Sequence, residues 1–75
     1  MKPRTIVINN QIVNCVEQLA RFLKQGDIFR KPRGSAHYKF EKLMPELKLV
    51  LCENIETLVT EEIYFNSPVL RLMFL

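Results

Sequence analysis

The chain has few of the residues from which metal, cofactor and catalytic sites are built. Its 75 residues include two glycines, two cysteines and one histidine. Cys15 and Cys52 lie far apart, without a Cys-x-x-Cys pair or the further ligands of a zinc site, so we expect two buried, reduced thiols. Glycine-rich phosphate loops, nucleotide-binding fingerprints, metal-spaced carboxylates and a Ser-His-Asp set are missing as well. We therefore expect no metal, no cofactor and no small-molecule substrate.

Long apolar runs are also missing. No run approaches the roughly 18 residues that span a bilayer, and the basic start Met1–Arg4 leads into an apolar patch too short for a signal peptide. Hydrophobic residues make up 48% of the chain and charged residues 25%, which is the composition of a globular domain. The sequence predicts one compact, cytoplasmic domain over residues 1–75, with no attachment to a membrane.

Charge is distributed unevenly along the chain. The net charge is +3, but residues 21–48 carry eight of the eleven basic side chains and three acidic ones, which gives this segment +5. The remaining residues carry three basic and five acidic side chains, which gives −2. Such a two-signed molecule can steer an anionic partner onto its basic side. Ordinary solvated charge is the alternative explanation.

Hydrophobic spacing predicts one main helix in the N-terminal third. The β-branched run Thr5–Ile8 favours a first strand, and Asn9-Asn10 are residues that stop a strand and cap a helix. From residue 10 to residue 25 the apolar side chains follow helical spacing, and polar side chains form the opposite face. The apolar positions are Ile12, Val16, Leu19, Ala20 and Leu23. Gly26 suits the left-handed position that ends such a helix.

Two segments in the middle of the chain predict a β-hairpin. Asp27–Arg30 can form a strand, and the turn-prone residues 32–35 lead into His37–Lys42. There the alternation sends Tyr38 and Phe40 to one face and charged side chains to the other, which is a strand period rather than a helical one. We expect both rings to pack inward.

The C-terminal third predicts more sheet. Residues 47–52 alternate as a buried strand after Pro45, whereas residues 53–62 fit either a short helix, which we favour, or extended structure. Residues 63–65 and Val69–Leu75 predict two last strands around a turn. The predicted fold class is therefore α+β, with one main amphipathic helix packed on a small antiparallel sheet and a second short helix.

The last predicted strand, Val69–Leu75, is apolar on both faces, with Arg71 as its one polar residue. Neither face can be left in water. Either the strand is central in the sheet, or a second copy of the chain covers it. The sequence thus leaves a homodimer built across this strand as an alternative.

The segment Arg30–Phe40 combines a basic, turn-prone loop with a strand that alternates charge and aromatic rings. We predict the binding site here. Its residues are Arg30, Lys31, Arg33, Gly34, Ser35, His37, Lys39 and Lys42. The cations supply phosphate contacts, and such a patch binds nucleic acid with weak sequence specificity. Tyr38 and Phe40 can stack on bases only where they are exposed, which their inward pattern argues against.

Residues 16–52 resemble a known family. An amphipathic helix is followed by Lys24-Gln25-Gly26 and a short strand, and then by Arg33-Gly34-Ser35 with a histidine, a tyrosine and a lysine after it. This order of elements and motifs is similar to that of the HicA toxins. The resemblance implies a double-stranded-RNA-binding-like fold and an mRNA endoribonuclease whose catalytic histidine directly follows Gly-Ser. Here that place is Ala36 and the histidine is His37, a shift that turns the side chain to the other face of a strand. Under this hypothesis His37 is the catalytic residue.

The residues favour a small non-enzymatic interaction module. It uses the basic loop and strand to hold nucleic acid or an acidic protein or ribonucleoprotein partner. Compact, basic chains of this size without motifs are similar in general character to phage-type regulators and inhibitors of host machinery, including anti-CRISPR proteins; this analogy rests on size and composition. The alternatives are a HicA-like endoribonuclease and a homodimeric structural adaptor.

Overall fold

The computed structural model describes residues 2–73, most of which belong to one antiparallel sheet of seven strands. The strands are β1 Lys2–Ile8, β2 Gln11–Leu19, β3 Ile28–Arg30, β4 Tyr38–Met44, β5 Leu49–Asn54, β6 Thr60–Tyr64 and β7 Pro68–Met73. Their order across the sheet is β1-β2-β7-β3-β4-β5-β6, so β1 and β6 form the two edges.

The predicted α+β class is wrong. The helical segments within residues 2–73 are two 3₁₀ turns, Ala20–Phe22 and Pro45–Leu47, and no main α-helix is present in that range. In the same range no helix is long and apolar enough to cross a membrane. The protein is nearly all antiparallel sheet.

The turn between β1 and β2 explains why the predicted helix is wrong. Asn9 and Asn10 both adopt the left-handed conformation, with φ of 50° and 64°, and Ile8 pairs directly with Gln11. Two successive left-handed residues form the two-residue turn that matches the twist of a hairpin, and asparagine tolerates this conformation. The asparagines therefore reverse the chain instead of capping a helix.

Strand β2 occupies most of the segment that the spacing assigned to a helix, residues 10–25. It has strand partners on both sides: Cys15 pairs with Arg4 of β1 and with Leu72 of β7. The strand ends at the 3₁₀ turn Ala20–Phe22. Gly26 then takes a positive φ of 92°, as expected, but in a turn and not at the end of an α-helix.

Strand β7 is internal, which is the first of the two positions that its apolar sequence allowed. It lies between β2 and β3 and pairs with both. Val69 and Leu70, which point to opposite faces of the sheet, are both buried. A partner strand therefore cannot pair along β7 where β2 and β3 already do, and residues 74–75 of the predicted strand lie outside the described residues.

The middle of the chain forms the predicted hairpin. Strands β3 and β4 are antiparallel, and Tyr38 and Phe40 are buried on one face, as predicted. In β5 the buried side chains are Val50 and Cys52. The helix favoured over residues 53–62 is wrong, because the end of β5, a turn at residues 55–57 and strand β6 occupy that segment.

Two apolar clusters lie on opposite faces of the sheet. The larger one, here called the Phe29 face, contains Ala20, Leu23, Phe29, Tyr38, Phe40, Val50, Cys52, Ile63 and Val69. The smaller one, the Cys15 face, contains Cys15, Leu70 and Leu72, with Ile6, Ile8, Val13 and Ile28 packed against it. The 3₁₀ turn Ala20–Phe22 contributes Ala20 to the Phe29 face and is bonded through Ala20 N–H to the Ser67 carbonyl at 2.9 Å. This bond joins the turn to the segment between β6 and β7.

Candidate functional site

The loop between β3 and β4 holds the centre of the predicted site. Arg33, Gly34 and Ser35 are exposed at its tip. The amide N–H of Gly34 donates to the Lys31 carbonyl oxygen at 3.0 Å, which closes a tight turn. The tip therefore presents the Arg33 side chain to solvent from an ordered backbone.

The Lys31 side chain is partly exposed, but a carboxylate on β6 binds it. Its Nζ donates to Glu61 Oε1 at 3.3 Å and lies 5.0 Å from the centroid of the Tyr38 ring. Partial burial lowers the pKa of Lys31, but the hydrogen bond to Glu61 and the charges of Tyr38 and Glu61 outweigh it, so the pKa lies above its usual value of 10.5. Lys31 is a charged anchor that ties the loop to the Phe29 face.

The other predicted cations are separated from this loop. Lys39 lies on the Cys15 face, opposite Ile28, and its Nζ is 3.9 Å from Glu53 and 4.0 Å from Glu41. Lys42 is exposed further along β4, and Arg30 is half-buried with its Nε shielded from solvent. The structure therefore divides the predicted patch between two faces and pairs part of it with carboxylates.

His37 lies just before β4 and is half-buried. Its carbonyl oxygen accepts the Ile55 N–H at 3.0 Å, which ties the β3–β4 loop to the β5–β6 turn. Within residues 2–73, no group of three or more histidine, cysteine, aspartate and glutamate side chains is placed to hold a metal ion. The amphipathic helix that formed part of the HicA resemblance is strand β2, and the activity that the resemblance implies stays a prediction.

A second set of cations lies where β2 and β6 end and β5 begins. The Arg21 N–H donates to the Phe65 carbonyl at 3.0 Å, and the Phe65 N–H donates to the Lys48 carbonyl at 3.0 Å. These bonds bring three distant segments side by side. They border a groove of about 370 Å³, here called the tyrosine groove, lined by Arg21, Pro45, Lys48, Tyr64, Phe65 and Asn66. Among the described residues, the groove lining has two cations and no carboxylate.

A neighbouring groove continues this surface past the next residue, Phe22. The phenylalanine groove has a volume of about 550 Å³ and is lined by Lys2, Glu17, Gln18, Leu19, Phe22 and Pro68. The Arg21 guanidinium carbon lies 4.9 Å from the centroid of the Phe22 ring, so a lining residue of the tyrosine groove contacts a lining residue of the phenylalanine groove. Glu17, the carboxylate in the lining, is itself bonded to Arg4 at 3.3 Å.

Pro68 connects the phenylalanine groove with the predicted loop. It also lines a third groove of about 630 Å³, the loop groove, together with Lys31, Pro32, Arg33 and Gly34. Adjacent grooves are linked by a shared lining residue, Pro68, or by the Arg21–Phe22 contact, and we call the three grooves together the basic track. Its cations are Lys2, Arg21, Lys31, Arg33 and Lys48. Among the described side chains, Lys31 is the member of this set that is paired with a carboxylate.

The sequence interpretation found the loop end of this surface and missed the other end. The predicted helix over residues 10–25 contains Arg21 and Phe22, and the predicted strand over residues 47–52 contains Lys48. The turn-forming residues after Tyr64 marked the end of a hairpin, but nothing in the sequence indicated that this end lies beside Arg21. Backbone hydrogen bonds between distant segments create that proximity.

The comparisons with known proteins give no family assignment, since no protein-family model, curated protein or solved structure matches this chain. The arrangement of the residues themselves is therefore the basis for assigning a function.

Proposed function

We propose that the protein is a non-enzymatic module that binds nucleic acid along the basic track. The observation that carries the proposal is the set of four cations, Lys2, Arg21, Arg33 and Lys48, that line three connected grooves without a carboxylate partner among residues 2–73. Arg4 and Lys39, in contrast, lie within 4.0 Å of carboxylate oxygens. Cations that are free of carboxylate partners remain available to bind the phosphates of a nucleic-acid backbone.

Phosphate contacts of this kind produce binding that is steeply dependent on salt and weakly dependent on sequence. Each neutralised phosphate contributes a slope of about −0.7 to the dependence of log affinity on log salt for a single strand. Four contacts therefore predict a slope of about −3. The net charge of +3 adds a general attraction that speeds the encounter with an anionic polymer.

The test measures the affinity of the full chain for fluorescein-labelled DNA and RNA of 20 nucleotides at a series of salt concentrations. We compare Arg21→Gln/Lys48→Gln with the matched control Lys39→Gln/Lys42→Gln, which removes the same charge from the Cys15 face. The track variant should bind at least about tenfold more weakly and lose about 1.4 from its salt slope, whereas the control should bind within about twofold of the unchanged protein. Equal losses in both variants, or no binding at low salt, would overturn the proposal and leave an acidic protein as the partner to seek.

The same samples test the ribonuclease alternative. After incubation, the RNA is run on a denaturing gel together with RNA exposed to the His37→Ala variant. Cutting that disappears in this variant would establish the HicA-like activity. Intact RNA in both lanes, with binding retained, is the result we expect for a binding module.

A further inference from the structure

We infer that the nucleic acid on the basic track is a single strand, with one base stacked on Tyr64, another stacked on Phe22, and the phosphate between them held by Arg21. This inference rests on the proposed function and specifies its ligand. The observation behind it is the exposure of the two aromatic rings, and not the charge of the track.

The two rings differ from the other aromatic side chains of the sheet in their exposure. Phe29, Tyr38 and Phe40 are 0%, 6% and 6% exposed, whereas Tyr64 is 73% exposed and Phe22 is 48% exposed. An exposed ring offers a face on which any base can stack, which is how proteins bind single strands without reading their sequence. Both rings line grooves that also contain a cation.

The backbone beneath the rings is fixed before any ligand binds. Next to Tyr64, the Phe65 N–H and carbonyl are bonded to Lys48 and Arg21 at 3.0 Å each. The 3₁₀ turn that carries Phe22 is bonded through the Ala20 N–H to Ser67. Platforms on a fixed backbone lose little conformational freedom on binding, so more of the stacking energy appears as affinity.

Arg21 lines the tyrosine groove and contacts Phe22, which lines the phenylalanine groove. Its guanidinium is 4.9 Å from the Phe22 centroid, and the same residue lines the tyrosine groove beside Tyr64. A cation that contacts one exposed ring and lines the same groove as the other is placed to bind the phosphate that links two stacked bases. The interior bases of a duplex cannot make this arrangement, because they are stacked on one another and present no free face to a protein ring.

The composition of the chain supplies a direct readout. There is no tryptophan and there are two tyrosines, Tyr38 and Tyr64, of which Tyr38 is buried. A base stacked on Tyr64 should quench tyrosine emission, and the signal should vanish in Tyr64→Leu. Because Tyr64 is mostly exposed, this variant keeps the fold. We therefore titrate the full chain and the variant with unlabelled oligo-dT of 12 residues and with a 12-base-pair duplex.

The expected result is quenching by the single strand, no quenching by the duplex, and about tenfold weaker single-strand binding in Tyr64→Leu and in Phe22→Leu. Single-strand binding without quenching, or ring variants that bind as tightly as the unchanged chain, would overturn the inference. If those results accompany a loss of binding in Arg21→Gln/Lys48→Gln, the proposed function survives and only stacking is wrong. If neither probe binds at low salt, both are wrong.

Discussion

The side chains of Lys31 and Glu61, 30 residues apart in sequence, meet across the β3–β4 loop and the edge strand β6 at 3.3 Å. The Tyr38 hydroxyl donates to the same carboxylate oxygen, Glu61 Oε1, at 3.5 Å. Glu61 on β6 therefore binds Lys31, which is one of the cations that line the loop groove. The pair fixes the loop and also removes one positive charge from the basic track.

Glu61→Gln should strengthen nucleic-acid binding. The substitution removes the charge that holds Lys31, so Lys31 becomes available for a further phosphate contact. We expect a salt slope about 0.7 steeper than that of the unchanged protein and a gain of a few fold in affinity at low salt. The measurement is the fluorescence anisotropy of a labelled single strand over a salt series.

Glu62→Gln is the matched control for this experiment. Glu62 is the next residue in β6, is exposed, and has the same charge, but it lies on the opposite face from Glu61. It is not part of an ion pair among the described residues. If both variants gained equally, net charge and not the release of Lys31 would be the cause.

The parts of the fold that the sequence predicted correctly depend on local alternation. Tyr38 and Phe40 alternate with charged residues, and the hairpin that contains them needs only a neighbouring strand. The β7 sequence is apolar on both faces because the strand is internal. The helix prediction is wrong because the apolar spacing around Val16 fits a helix as well as a strand. The neighbouring strand that favours an extended conformation for Val16, β7, is more than 50 residues away in the sequence.

The Asn9-Asn10 pair was the local signal for the correct structure. Between two β-branched runs, such a pair predicts a hairpin turn at least as well as a helix cap. The missed half of the basic track has no such signal. Arg21, Lys48 and Tyr64 come from three segments, and the hydrogen bonds of Phe65 with two of them exist only in the folded sheet.

Asn10→Ala should destabilise the protein. Asn10 has a φ of 64°, where an alanine Cβ crowds the backbone and asparagine is better tolerated. We expect the free energy of unfolding in urea to fall by about 1 kcal/mol. Asn10→Gly, which creates the Asn-Gly pair preferred in such turns, should leave the free energy of unfolding unchanged or raise it. A loss of similar size in both variants would show that the asparagine side chain, and not the backbone conformation, matters.

Leu58→Asn should stabilise the protein. Leu58 is exposed and has a φ of 63°, a conformation that is unfavourable for leucine. The turn imposes it: the Leu58 N–H donates to the Asn54 carbonyl at 2.7 Å, and Asn54 Oδ1 accepts the N–H groups of Glu56 and Thr57. Asparagine adopts this conformation at lower cost, so the free energy of unfolding should rise by up to about 1 kcal/mol. Leu58→Ala, which keeps the strain, is the control, and equal stability of the two variants would contradict the explanation.

Cys52 should be almost unreactive in the folded protein. The thiol is fully buried and donates to the Glu61 carbonyl at 3.5 Å. Burial, and then the charge of Glu61, raise its pKa from 9.0 to about 11. At pH 8 the thiolate fraction is therefore about 0.1%, and a thiol reagent should modify Cys52 far more slowly than in urea. Rapid modification of Cys52 in the folded chain, identified by mass spectrometry, would contradict this environment.

The same pKa shift sets the pH dependence of stability. The folded state holds the thiol proton more tightly than the unfolded state, so the stabilisation is fully present below pH 9 and is lost as the pH rises from 9 to about 11. In that window the free energy of unfolding should fall by up to about 1.4 kcal/mol for each pH unit through this one proton. Urea unfolding of Cys52→Ala at several pH values measures the effect, because the variant keeps Cys15 and Lys31 but lacks the titrating thiol. The variant should start less stable at pH 8 and lose less stability by pH 11. Parallel pH profiles for the two proteins would show that the Cys52 proton is bound equally in the folded and unfolded states.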